Sequence, residues 1–160
     1  MLRDIRRNGA QPKDTMHKAA AKMVTGMGVI KNDTKDKKEV KLPSDETTAN
    51  ICVVTKERVP SGINAARLNM SDYDEDFVNI EKGELIGLEV YTDGEKFATD
   101  QFKAEDFNDY EVGKTVAVGA DGKWMKTTTG ASRFLYAGEY MDNGHKMIAI
   151  EVVADPVAHA

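Results

Sequence analysis

The sequence is poor in the residues that hold small chains together by chemistry. It has one cysteine, Cys52, which excludes an internal disulfide framework and a multi-cysteine zinc site. Cys52 lies inside the apolar run "ICVVT" and reads as a small buried hydrophobe, not a reactive thiol. No apolar run approaches the roughly twenty residues that a membrane span requires. The opening "MLRDIRRNGAQPKD" has charge but no apolar h-region, so it does not read as a secretory signal. No aromatic residue occurs in the first 42 positions, which leaves that segment nothing to stack on a base and makes direct nucleic-acid binding an unfavoured reading. What is present is enough apolar material, 41% of 160 residues with 31% charged, for one modest core.

Charge is unevenly spread. Residues 1–42 carry eleven Lys/Arg and five Asp/Glu, and residues 43–160 carry eleven and twenty-two, giving +6 against −11. The sequence therefore divides at about residue 48 into a basic N-terminal arm with linker (1–48) and an acidic β-rich domain (49–160). Within the arm, Met16, Ala19, Ala20 and Met23 recur at helical spacing, which predicts a short helix over about 13–24, ended by Gly26 and Gly28. The following "KNDTKDKKEVKLPSDETT" reads as a polar strap. The arm carries the candidate partner-binding residues: the basic Arg3, Arg6, Arg7, Lys35, Lys37 and Lys38, and the adaptable Met16, Met23 and Met27. Packing of these methionines on the body is an equal alternative.

From Asn50 onward the texture is β. "ICVVT" is β-branched, "FVNIEKGELIGLEVY" alternates, and Asp93-Gly94, Asp121-Gly122 and Asn143-Gly144 supply the positive φ of tight turns. Strands are expected near 50–55, 84–91, 114–118, 123–128, 132–141 and 145–153. The expected class is mainly β, a small antiparallel β-barrel or β-sandwich, with an extended or short-helical N-terminal arm. Alternation places Val116 and Val118 on one face, and Ile148, Ile150 and Val152 on another. Trp124, Phe134, Tyr136 and Tyr140 are assigned to the core or its rim. "FKAEDFNDYEVGK" reads as a loop with a helical turn anchored by Phe102 and Phe107, and "VPSGINAARLNMSDYDED" as a second loop.

Chemistry-bearing motifs are few. Asp72, Asp74 and Asp76 stand at the spacing of a calcium loop, but Phe77 and Gly83 occupy the positions of its glycine and closing glutamate. An acidic surface loop is the better reading. His17, His145 and His159 show no local metal-ligand spacing, and no motif supports a Cys52–His145 dyad. Ser61 and Ser132 lack a nucleophile-elbow context. Gly113 in "VGKT" precedes an expected strand and reads as a turn residue. No catalytic residue, cofactor or metal site is assigned, and the chain reads as a non-enzyme.

The patterns "VTKERVPSGIN", "SDYDEDFVNIEKGELIGLEVY", "VGKTVAVGADGKW" and "SRFLYAGEYMDNGHKMIAIEVV", within Ile51–Val153, resemble the small β-rich decoration or cement proteins of tailed-bacteriophage heads. The resemblance implies a non-catalytic structural virion protein on the capsid surface, made in the host cytoplasm, that binds the major capsid protein lattice and stabilises the head. It implies a homo-oligomer at capsid symmetry positions, with no membrane partner, and the arm is the part expected to grip. Another virion component (a head-fibre base, a connector or tail tube) and a small OB- or barrel-type binding module are the alternative readings.

Overall fold

The computed structural model describes residues 1–9, 13–56 and 78–159. "VPSGINAARLNMSDYDED", with Asp72, Asp74 and Asp76, lies outside the described residues.

The chain is mainly β, as its turn chemistry predicts. Five strands close into a ring: β2 (Asp14–Ala19), β4 (Gly28–Lys31), β5 (Glu39–Lys41), β6 (Ile51–Thr55) and β8 (Leu85–Glu89). Their order around the ring is β2-β5-β4-β6-β8, with β8 pairing back onto β2. All the pairs are antiparallel except β2 with β5. Beside the ring stands a four-stranded antiparallel sheet in the order β1 (Leu2–Arg6), β9 (Lys96–Thr99), β13 (His145–Ala158) and β12 (Ala131–Asp142). Two short pairs complete the described strands, β3 (Met23–Val24) with β7 (Asn79–Ile80) and β10 (Val116–Val118) with β11 (Trp124–Lys126).

One strand explains how the two halves join. In β6 successive side chains point to opposite faces. Ile51 and Val53 enter a core with Phe97, Val118, Trp124, Phe134, Ile148 and Ile150. Cys52 and Val54 enter a second core, inside the ring, with Val29, Val40, Ile86 and Leu88. All five residues of "ICVVT" are buried. A continuous β-branched run is what a strand covered on both faces requires. Gly28, opposite Val53, lets the ring approach the sheet, because a Cβ there would overlap the Val118 side chain. Trp124 is fully buried, and its indole N–H donates to the Gly26 carbonyl at 3.1 Å, tying the sheet core to a turn of the ring.

The expected strands near 50–55, 84–91, 114–118, 123–128, 132–141 and 145–153 are all present with shifted ends. Asp121-Gly122 and Asn143-Gly144 turn true hairpins, with Gly122 at φ 76° and Asn143 at φ 49°. Asp93-Gly94 also turns the chain, but it carries it from the ring strand β8 to the sheet strand β9 instead of closing a hairpin. Val116, Val118, Ile148, Ile150 and Val152 meet in a single core. Trp124, Phe134 and Tyr136 are buried, and Tyr140 packs on a smaller cluster of Met1, Ala98 and Met147. The loop after β9 holds a single 3₁₀ turn, Ala104–Asp106, with Phe107 buried and Phe102 packed against it.

The N-terminal third departs from expectation. The predicted helix over 13–24 is instead β2 and β3. His17 and Ala19 are buried while Met16 and Lys18 are exposed, a period of two imposed by pairing with β8. Pairing that completes a ring overrides a weak helical pattern. The strap expected over 31–48 contains the end of β4 and all of β5. The division at residue 48 therefore runs through the ring: β2, β4 and β5 come from one side of it, β6 and β8 from the other. The described residues among 1–48 are part of the body and do not form a free arm.

Candidate functional site

The positive charge of the N-terminal third separates into two populations. The arginines are bound to the chain's own acidic residues. Arg3 on β1 meets Asp142 at 2.7 Å, and Arg6 meets Glu151 at 2.6 Å and the Gly94 carbonyl. Arg7, only 18% exposed, lies 3.4 Å from Glu89 and 3.5 Å from Glu95, with its guanidinium 4.3 Å above the Tyr91 ring. Glu95 is fully buried. Burial alone would raise its carboxyl, but the Thr92 and Asn8 amides and then Arg7 outweigh that and hold it below the usual carboxylate range. Glu89 also takes Lys13 at 2.9 Å, and the Tyr91 hydroxyl donates to Asp4 at 2.6 Å. Burial, then Glu89 and Asp4, pushes the Tyr91 hydroxyl far above its ordinary value, so it stays a donor. The arginine strap thus pairs with acidic residues of its own body: Arg7 is largely enclosed, while Arg3 and Arg6 make their ion pairs at the surface.

Lys13, Lys22 and Lys31 are paired in the same way, but among the described residues Lys18, Lys35, Lys37 and Lys38, on and beside the β4–β5 turn, are not. The turn between β4 and β5 is closed by Asn32, whose amide donates to the Glu39 carbonyl at 2.8 Å, and by Thr34, whose amide donates to the Lys37 carbonyl at 2.9 Å. It is pinned to β2 by the Lys18 amide, which donates to the Lys38 carbonyl at 3.0 Å. His17 adds a side-chain anchor. Its ring is 3% exposed, with Nε2 2.7 Å from Asp33 and Nδ1 3.1 Å from Asp14. Asp14 in turn holds Lys31 at 2.5 Å, and that ammonium is the largest cause keeping the Asp14 carboxyl well below its ordinary range. Cys52 is buried in the ring core, and burial pushes its thiol up.

On the outside of this braced turn, Met16, Lys18, Asp36, Lys37, Lys38 and Glu39 line a surface hollow of about 320 Å³. Met16 is 66% exposed, and Lys35 stands on the same turn. Among the described residues, the side chains of Lys18, Lys35, Lys37 and Lys38 have no ion-pair partner. The structure therefore brings Met16, Lys37 and Lys38 together with Lys35 nearby, and separates them from the other candidates. Met23 is fully buried in the ring core and Met27 packs against it, so neither is presented to a partner. Lys18 and the His17 brace were not singled out from the sequence. The alternation of exposed Met16 and Lys18 with buried His17 was their only signal, and the helical reading of 13–24 concealed it.

Among the described residues no group of three or more His, Cys, Asp or Glu is arranged to hold a metal ion. No helix among them is long and apolar enough to cross a membrane. His145 meets Asp100 at 3.1 Å beside the β12–β13 turn. Comparison with protein-family models, with curated proteins and with solved structures returned no match.

Proposed function

We propose that the chain is a structural virion protein of a tailed phage, a decoration protein that docks on the outer capsid lattice and stabilises the head, acting as an oligomer at lattice symmetry positions. The reading combines the resemblance of residues 51–153 with one structural observation. The basic strap neutralises the chain's own acidic body, while a second basic population remains unpaired on one braced face of a closed ring. Under this proposal the gripping element is a rigid face, not the free arm expected from the sequence. A preformed face binds without an ordering cost, which suits a reinforcing clamp.

A binding module for single-stranded nucleic acid would need exposed aromatic side chains as stacking platforms. Among the described residues the large exposed apolar side chains are aliphatic or Met, and no Phe, Tyr or Trp is exposed. The test is co-sedimentation of the purified protein with phage heads assembled without it. Saturable, stoichiometric pelleting is expected. Self-assembly into rings or tubes with no shell binding would move the assignment to a connector or tail component, and absence of both would end the virion reading.

A further inference from the structure

We propose that the Met16–Lys37–Lys38 hollow is a docking site for an acidic protein surface that offers carboxylates around an apolar side chain; the biological setting of this inference rests on the virion reading above, its chemistry does not. The argument begins with charge. The whole chain carries −5, yet Lys18, Lys37 and Lys38 crowd one hollow and have no ion-pair partner among the described residues. The three lysines outnumber the two carboxylates of the hollow, Asp36 and Glu39, and a facing carboxylate surface would pair with them while steering encounter.

The next step is preorganisation. Lys37 and Lys38 project from a turn held at both ends by backbone hydrogen bonds and on its flank by the His17–Asp33 contact, and Lys18 projects from the neighbouring strand β2. Carboxylate partners therefore meet ammonium groups on a fixed frame, and only side-chain rotamers remain to be ordered on binding. His17 is a positioning residue in this arrangement, since it touches the turn and not the partner.

The third step separates protein from nucleic acid as the occupant. Asp36 and Glu39 share the hollow with the lysines, and they would face phosphates unfavourably while pairing with basic groups at a protein partner's rim. Met16, which lines the hollow and is exposed, offers a flexible thioether for an apolar side chain, a common element of adaptable protein interfaces and of no use against a phosphate backbone.

The test uses the full-length isotope-labelled protein with two probes, a soluble peptide of alternating glutamate and leucine and a DNA duplex of equal charge. Peptide-induced NMR shifts are expected at Met16, Lys18, Lys37 and Lys38, with affinity falling at least about tenfold in Lys37→Glu/Lys38→Glu and more modestly in Met16→Gln. His17→Asn, which keeps one hydrogen bond, is expected to broaden the turn's resonances and weaken binding without moving the map. Shifts that map elsewhere, equal or stronger binding of the duplex, or an unaffected double variant would each overturn the inference. Head co-sedimentation of the double variant keeps the two proposals apart. If wild type and double variant pellet equally, the docking face is wrong and the virion role stands. If neither pellets but the peptide maps to the hollow, the docking face stands and the virion role falls.

Discussion

At the scale of single residues, the structure turns on how buried charges are satisfied. Arg7 is the clearest instance. Its removal would leave Glu89 and Glu95, 4% and 0% exposed, short of a cationic neighbour. Arg7→Ala is therefore expected to cost about 3 kcal/mol in urea unfolding. Arg7→Lys should recover only part of that, since an ammonium lacks the guanidinium's fork that reaches two carboxylates while lying over the Tyr91 ring. A loss below about 0.5 kcal/mol would mean that the contacts are no stronger than ordinary surface pairs. The carboxylates also set the acid response. Asp14, Glu95 and Glu151 are all held below their ordinary values of 3.8, 4.5 and 4.5. For Glu151 the leading cause is Lys96, with Arg6 assisting. A carboxyl depressed in the folded state stabilises fully above its unfolded value and loses that contribution as pH falls through the folded one. Stability should therefore be level from neutral pH down to about pH 5 and fall below it. Glu95→Gln should show a shallower acid decline in the urea midpoint than wild type, and an identical slope would remove Glu95 from the account. None of these pairings was legible in the sequence. The asymmetry of +6 against −11 was visible, but composition cannot say whether opposite charges face a partner or each other.

At the scale of elements, legibility followed the turns. β10 with β11 and β12 with β13 were readable because Asp-Gly and Asn-Gly impose local geometry on the residues beside them. β2, β4 and β5 were not, because their partners are set by ring closure and the strands are too short to show a clear period of their own. The candidate face suffered in the same way: Met16, Lys37 and Lys38 were readable as residue types, but not as neighbours. Two consequences can be measured. Deleting residues 1–42 removes β1 through β5, three of them ring strands, so the remainder is expected to lack a cooperative melt by circular dichroism. A folded remainder would show that the sheet core stands without the ring. Gly28→Ala pushes a methyl group into Val118 at the seam between the halves and should cost about 2 kcal/mol in urea unfolding. A neutral outcome would indicate that β4 and β10 can move apart freely.

At the scale of the whole molecule, β6 is a wall common to both cores, and the two are not expected to melt separately. The chain supplies its own probes. Trp124, the single tryptophan, sits in the sheet core, and Cys52, the single cysteine, sits inside the ring. Tryptophan fluorescence and thiol labelling should report the same urea midpoint, as a two-state transition demands. Separate midpoints would show that the ring and the sheet unfold as independent units. The mainly β class was legible from composition and turn spacing. The arrangement of a closed ring against an open sheet was not, since no local pattern records that a strand is buried on both faces or which distant strand it adjoins.

Strand order also governs the birth of the molecule. Among the described strands β1 pairs only with β9, so the arginine strap lacks its strand partner until roughly ninety further residues have been made. The ring likewise stays open until β8 arrives to bridge β6 and β2. At about 5–20 residues per second, the nascent basic segment spends some 5 to 20 s without its acidic counterpart. Until then Arg3, Arg6 and Arg7 lack the carboxylates of Asp142, Glu151, Glu89 and Glu95 that later pair with them, and the segment carries its positive charge uncompensated.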